Sequence, residues 1–224
     1  MSRKTGKPSY VRQAEQAQAR RVPLVGFIAA VVAAALLAGL AGFLIGRPDS
    51  TTRAIDEIKA QEAKRDVEQI RSLTTVARSS QEALTPVLNA FDAAVESGQP
   101  ADAATVGSWQ KTVKGLVDAH SESPSGTTAT NVARGGFRGA ISDFTTAVDL
   151  YAAAVAGPAE QRAGLIAIAV RSRTGAATAW SVAAAQLDQI NVDAGLGHQH
   201  VYLETEQGSG AFTADGEEEG HTGG

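Results

Sequence analysis

Cysteine is absent from the 224 residues. Without a thiol there is no disulfide, no thiolate nucleophile, no Cys-ligated zinc and no lipid-modified cysteine anchor. Aromatic residues are scarce, at 5%, although 43% of the chain is hydrophobic. Alanine supplies much of that fraction. A core of small side chains buries little area per residue and holds only where backbones approach closely, which favours helix packed on helix. Runs of alternating polarity long enough for a sheet are missing as well. So is a strong charge of either sign: the formal net charge is −4, and no nucleic-acid partner is expected.

The motifs of familiar chemistry are equally missing. There is no G-x-S-x-G elbow, no Walker loop, no H-E-x-x-H, and no Glu-x-x-His pairs on the expected helices as a di-iron bundle needs. Nucleophilic hydrolysis needs a nucleophile, a base and an orienting acid, and His120 is the one histidine within the expected bundle. No catalytic residue and no cofactor is assigned, and an enzyme is not expected.

What is present, first, is one uncharged stretch. Residues 24–45 read LVGFIAAVVAAALLAGLAGFLI, long enough as a helix at ~1.5 Å per residue to cover the ~30 Å hydrocarbon thickness. Pro23 stands at its start, where a missing N–H matters least. The leading tail carries Arg3, Lys4, Lys7, Arg12, Arg20 and Arg21 against Glu15 alone. That bias predicts an N-terminus in the cytoplasm and a C-terminal domain outside it. The basic tail also suits anionic headgroups. Gly39-Leu40-Ala41 offers a signal-peptidase site before Gly42, but the apolar run exceeds a usual signal core, so a single-pass signal-anchor is expected. Gly26, Ala30, Ala34, Ala38, Gly42 and Gly46 recur every four residues. Such a small-residue stripe lets two helices pack closely, which makes Ala34, Ala38, Gly42 and Gly46 the candidate homodimer face.

Beyond the anchor the periodicity is helical. Ala63, Val67, Ile70, Thr74, Ala77, Gln81, Leu84, Leu88, Phe91 and Val95 repeat with coiled-coil-like 4-3 spacing. They predict one helix, or two in line, over residues 52–96. Ser79-x-x-Glu82 resembles a capping box with Pro86 one turn later, so a kink or break is expected there. Further helices are predicted over 102–120, 131–156 and 159–191, separated by Ser97-Gly98-Gln99-Pro100, a polar loop, and Gly157-Pro158. Phe91, Trp109, Phe137, Phe144, Tyr151 and Trp180 are the expected large core side chains.

The expected architecture is all-α: an N-terminal transmembrane helix, an up-and-down bundle of about four helices, and a disordered acidic tail. In residue ranges, 1–21 is a basic cytoplasmic tail and 22–46 the membrane helix. A charged helical stalk follows at 47–78, then the bundle at 79–191 and a Gly/Glu-rich tail at 192–224. In topology this resembles membrane-anchored helical-bundle ectodomains such as those of bacterial sensors, which implies signalling through a partner or through dimerisation.

Three places invite chemistry. His198, His200 and His221 stand in the tail beside Glu217, Glu218 and Glu219. Imidazoles with carboxylates bind zinc, copper or nickel, and an i, i+2 pair on extended chain shares one side. Arg134 and Arg138, one turn apart, suit an anion. His120 ends an apolar face and reads as a solvated or helix-capping histidine. The leading functional expectation is a non-enzymatic interaction or scaffold module of a bacterial cell envelope, engaging an unidentified envelope protein. The alternative is an accessory sensor binding a small ligand or metal ion.

Overall fold

A computed structural model of the chain describes residues 26–43, 46, 50–204, 211–214 and 216–221. The described residues form five helices and no strand. They are α1 (Gly26–Phe43), α2 (Ser50–Ser97), α3 (Ala103–Ala119), α4 (Thr128–Ala156) and α5 (Ala159–Asp193). The basic tail lies outside the described residues. Packing divides the chain into two units, Met1–Lys59 and Ala60–Gly224.

In the first unit α1 is an 18-residue helix of mean hydropathy 2.3, long and apolar enough to cross a membrane. None of its side chains is buried, and Phe27, Leu36, Leu37 and Phe43 stand well exposed. Ile55 and Ile58, in the first turns of α2, are also exposed.

The second unit is a bundle. Its helices alternate in direction because each link is short and chemically marked. Gly98 turns the chain after α2 with φ +65°, a conformation glycine adopts without Cβ strain. Asp102 caps α3 by accepting the Thr105 N–H at 2.9 Å and its hydroxyl at 2.8 Å. Those two bonds hold its carboxyl below the usual carboxylate range. Thr127 caps α4, and Asp66 of α2 braces that cap by accepting from Thr127 N and Thr130 Oγ1 at 3.3 and 3.1 Å.

The core follows the helical stripes. At one end Phe91, Trp109 and Tyr151 form a triangle with ring centroids 5.2–6.2 Å apart, joining α2, α3 and α4. Toward the other end Phe137 meets Trp180 edge-on at 4.7 Å, and Phe144 is buried between the two clusters' helices. Such pairs add about 0.5–1.5 kcal/mol each beyond the area they bury. Between the aromatics, small residues set the spacing. A Cβ on Gly136 of α4 would stand 2.8 Å from the Ala183 Cβ of α5, so these helices approach as only Gly and Ala permit.

The structure departs from the sequence expectations at three points. First, α2 runs unbroken through Ser79–Pro86. Ser79 caps nothing, and Pro86 is exposed in the helix interior. Proline removes one helical hydrogen bond, but Leu84, Val87, Leu88 and Phe91 on both sides of it are buried in the core, and that packing holds the helix. Second, burial on α2 begins well before residue 79: Ile70, Leu73 and Ala77 are core residues. The stalk of 47–78 therefore gives its last turns to the bundle. Third, the tail after residue 191 is not wholly outside the fold. Val201 is 0% and Leu203 5% exposed. Residues 205–210, 215 and 222–224 of that tail lie outside the described residues.

Candidate metal centre

The arginine pair is consumed by the chain itself. Arg134 donates to Pro124 O at 3.1 Å, Asn131 Oδ1 at 2.7 Å and Gln69 Oε1 at 3.2 Å. Arg138 donates to the carbonyls of His120, Ser121 and Glu122 and to Ser123 Oγ. Together they fold the α3–α4 loop, Arg134 buried and Arg138 exposed, and their N–H donors are taken by the chain's own oxygens rather than turned to an anion. Burial, reinforced by Arg138, lowers the Arg134 pKa, with Asp66 opposing.

His120 is corrected too. It does sit at the C-cap of α3, but it is 3% exposed rather than solvated. Burial, with Arg138 nearby, pushes its pKa down to about 4, so at neutral pH the ring is uncharged and answers no helix dipole. Its Nε2 lies 2.9 Å from Ser80 Oγ. The serine already donates its one proton to Val76 O at 2.8 Å, so the imidazole must donate to the serine. That is the reverse of a base activating a nucleophile.

The other polar cluster is built by the end of α5. Gly195 N donates to Val192 O and Leu196 N to Asn191 O, at 2.9 and 2.8 Å, with Gly195 at φ +70°. These are the paired bonds of a Schellman termination with glycine in the left-handed position. The chain reverses and residues 196–204 run back along α5 as a strap. Trp180 Nε1 donates to Val201 O at 2.7 Å and Gln81 Nε2 to Tyr202 O at 2.6 Å. The register is geometrically consistent. Three extended residues from 198 to 201 advance about 10 Å, and eight helical residues from 188 back to 180 span about 12 Å.

Alternation decides which strap side chains face where. Val201 and Leu203 enter the core. His198, His200 and Tyr202 share the opposite side, with consecutive ring centroids 6.0 and 6.3 Å apart. This strap explains why α5 is buried nearly all round between residues 173 and 191: α4 covers one side and the strap another. Trp180, one of the expected large core side chains, is 0% exposed.

The strap carries both histidines to Asp188 of α5. His198 Nδ1 lies 2.9 Å from Asp188 Oδ2, and Asp188 Oδ1 accepts the Gln199 N–H at 2.5 Å. Asp188 is 7% exposed. One donor atom from each of Asp188, His198 and His200 falls within 4.8 Å of the others. No family model matches the sequence, and no curated protein or solved structure is detectably similar to it. The chemistry of this site therefore has to be read from its own atoms.

Two imidazoles and a carboxylate are a donor set for a divalent transition ion. Ligands ~2.1 Å from one ion at ordinary angles lie about 3.0–3.4 Å apart, and the 2.9 Å contact between Asp188 and His198 is near that spacing. As a hydrogen bond, the same contact fixes His198 as the Nδ1–H tautomer and leaves Nε2 as its lone-pair nitrogen. With cysteine absent and Met1 the single methionine, soft sulfur donors are missing. The site therefore suits Zn²⁺, Ni²⁺ or Cu²⁺ rather than Cu⁺.

Of the three histidines that the sequence singled out, the structure brings two together. His221 joins through its backbone: His198 N donates to His221 O at 3.0 Å, and Gly220 N donates to His198 O at 2.9 Å. Its side chain is exposed and outside the converging set. The acidic loop is held there by a contact between Arg78 and Glu219. Gly197, at φ +74°, admits the loop because a Cβ would meet Gly220 O at 2.2 Å. Asp188 was missed. Its signal was present only in three dimensions, since one acid in an alanine-rich helix announces nothing.

Proposed function

We propose that this chain is a membrane-anchored, non-enzymatic module of the cell envelope that binds a divalent transition-metal ion through Asp188, His198 and His200. One observation carries the reading: three lone-pair donors from two segments converge within 4.8 Å beside the core. The anchor is α1, and the basic residues of the leading tail favour a cytoplasmic N-terminus with the bundle outside. Between the two expectations drawn from the sequence, the strap favours the binding module over a scaffold without a ligand.

The test is calorimetric titration of Zn²⁺ into the full chain in detergent micelles. One ion per chain is expected, with His198→Ala/His200→Ala weakening affinity by about 100-fold or more. Equal binding by the double variant would refute the assignment.

The scaffold reading, with an envelope protein or a second copy as partner, retains one supporting feature. Where a Cβ would stand on Gly26 or Gly42 there is nothing within 4 Å, so the stripe with Ala34 and Ala38 is open at both positions. Gly46 donates its N–H to Gly42 O at 2.8 Å, just past the helix. A Gly42→Ile variant that self-associates in membranes as well as the parent would remove this support.

A further inference from the structure

We propose that the ion acts as a clasp. Its occupancy decides whether residues 196–204 stay docked along α5, and with them the groove that the strap walls. The inference rests on the metal-binding reading above and adds a regulatory consequence to it.

The ligands are divided across a hinge. Asp188 belongs to the rigid helix, whereas His198 and His200 follow Gly195 and Gly197, both at positive φ. An ion held by all three ties the strap to the helix. An undocked strap presents only the two histidines of H-x-H, so it chelates less well. By linkage, whatever binds the docked form better raises its population. If the undocked strap binds negligibly, an ion at 100 times its dissociation constant shifts the docked-to-undocked ratio by about 100-fold.

The strap has other attachments besides the ligand set, including the backbone bonds between His198 and the 218–221 loop. Val201 and Leu203 are seated in the core. Trp180 and Gln81 each donate one hydrogen bond to its backbone, and Arg78 donates to Gln199 Oε1 at 3.0 Å. These contacts join the strap to the fold only beyond the glycine turn that ends α5, so it can open as a unit without the helices unfolding, and a ligand that bridges strap and helix opposes that opening. Three protein donors also leave coordination positions for water, unlike a closed four-ligand structural site.

Docking has a structural readout. A groove of about 480 Å³ is lined by Thr74, Arg78 and Glu82 of α2, Asn191 of α5, and Leu196 and Gln199 at the start of the strap. Two of its walls meet at Asn191, whose amide donates to Thr74 Oγ1 at 3.0 Å. The remaining wall is the strap itself, so the groove exists in this form only while the strap is docked.

The experiment is hydrogen exchange on the full chain in detergent micelles, with Zn²⁺ or with chelator, alongside calorimetry of the same samples. Saturating Zn²⁺ is expected to slow exchange at residues 197–204 by up to about 100-fold and to leave α3 amides unchanged. Trp180→Phe keeps an aromatic side chain but deletes the N–H to Val201 O. It should loosen the strap, with exchange at residues 197–204 several-fold faster without the ion and slowed again by saturating Zn²⁺. Zn²⁺ binding without slower strap exchange overturns the clasp and leaves the metal site standing. No Zn²⁺ binding overturns both. Strap exchange in Trp180→Phe that Zn²⁺ fails to slow, although the ion binds, also overturns the clasp.

Discussion

The arginine corner at the α3–α4 loop and the strap site on α5 are both polar clusters against the same core, yet their chemistry is opposite. In the corner, two guanidinium groups point N–H donors at carbonyls and side-chain oxygens that the chain supplies. Donors meet acceptors, and the cluster is complete as a piece of folding. In the strap site a carboxylate and two imidazoles converge, groups that all carry lone pairs. There too the chain supplies donors, since His198 Nδ1 and the Gln199 N–H both meet the Asp188 carboxylate. What differs is that imidazole and carboxylate are also metal-ligating groups, whereas a guanidinium is not.

The sharpest way to break this comparison is to remove one member of each cluster. Arg134→Met keeps much of the volume but strips three hydrogen bonds from a residue 7% exposed. It should destabilise the bundle by about 2–4 kcal/mol in chemical denaturation while Zn²⁺ affinity holds. If Arg134→Met instead costs metal affinity and little stability, the two clusters have been assigned the wrong way round.

The next effect in size is a pH dependence belonging to the corner. The folded His120 refuses a proton until about pH 4, whereas the unfolded chain takes one near 6.5. Between those values the unfolded state binds more protons, so stability is full above about pH 6.5 and falls as pH drops through the window. The loss reaches about 3 kcal/mol at its acid end. Carboxylates titrate in the same range, so the measurement is the difference in unfolding free energy between the parent and His120→Gln at pH 7 and pH 4.5. A difference that does not change with pH would mean the imidazole is not buried neutral.

The smallest effect sharpens the strap's side. Gly195→Ala forces a Cβ into φ +70° and should cost about 1–2 kcal/mol. Because Gly195 lies between α5 and the strap, the loss should show as faster exchange in residues 196–204 before it shows in the bundle. Uniform destabilisation would argue that strap and bundle open as one.

Much of the fold was legible because it is written in local periodicity. The helices expected at 102–120 and 159–191 are Ala103–Ala119 and Ala159–Asp193, since apolar spacing of three and four, an Asp cap and a Pro-marked start are properties of neighbours in sequence. Reading Ser79-x-x-Glu82 as a start failed for a tertiary reason: the core around Leu84 and Phe91 outweighs one missing proline bond. The first part of the tail, residues 192–204, was misjudged because its glycines were read as composition. Gly195 followed by Leu196 is a helix-termination signature, and His200-Val201-Tyr202-Leu203 alternates as a half-buried extended segment must. Both signals were there, but neither names the surface that receives them.

By itself the sequence determined where the helices lie to within a few residues, though not that α2 is continuous, and one segment apolar enough for lipid, because these depend on hydrogen bonds and spacings within a few residues. Only the tertiary structure decided that two arginines serve a loop, that His120 is neutral, and that Asp188 meets His198 and His200. Those outcomes depend on which groups, ten or more residues apart, share a small buried volume, and burial sets their charge and their partners.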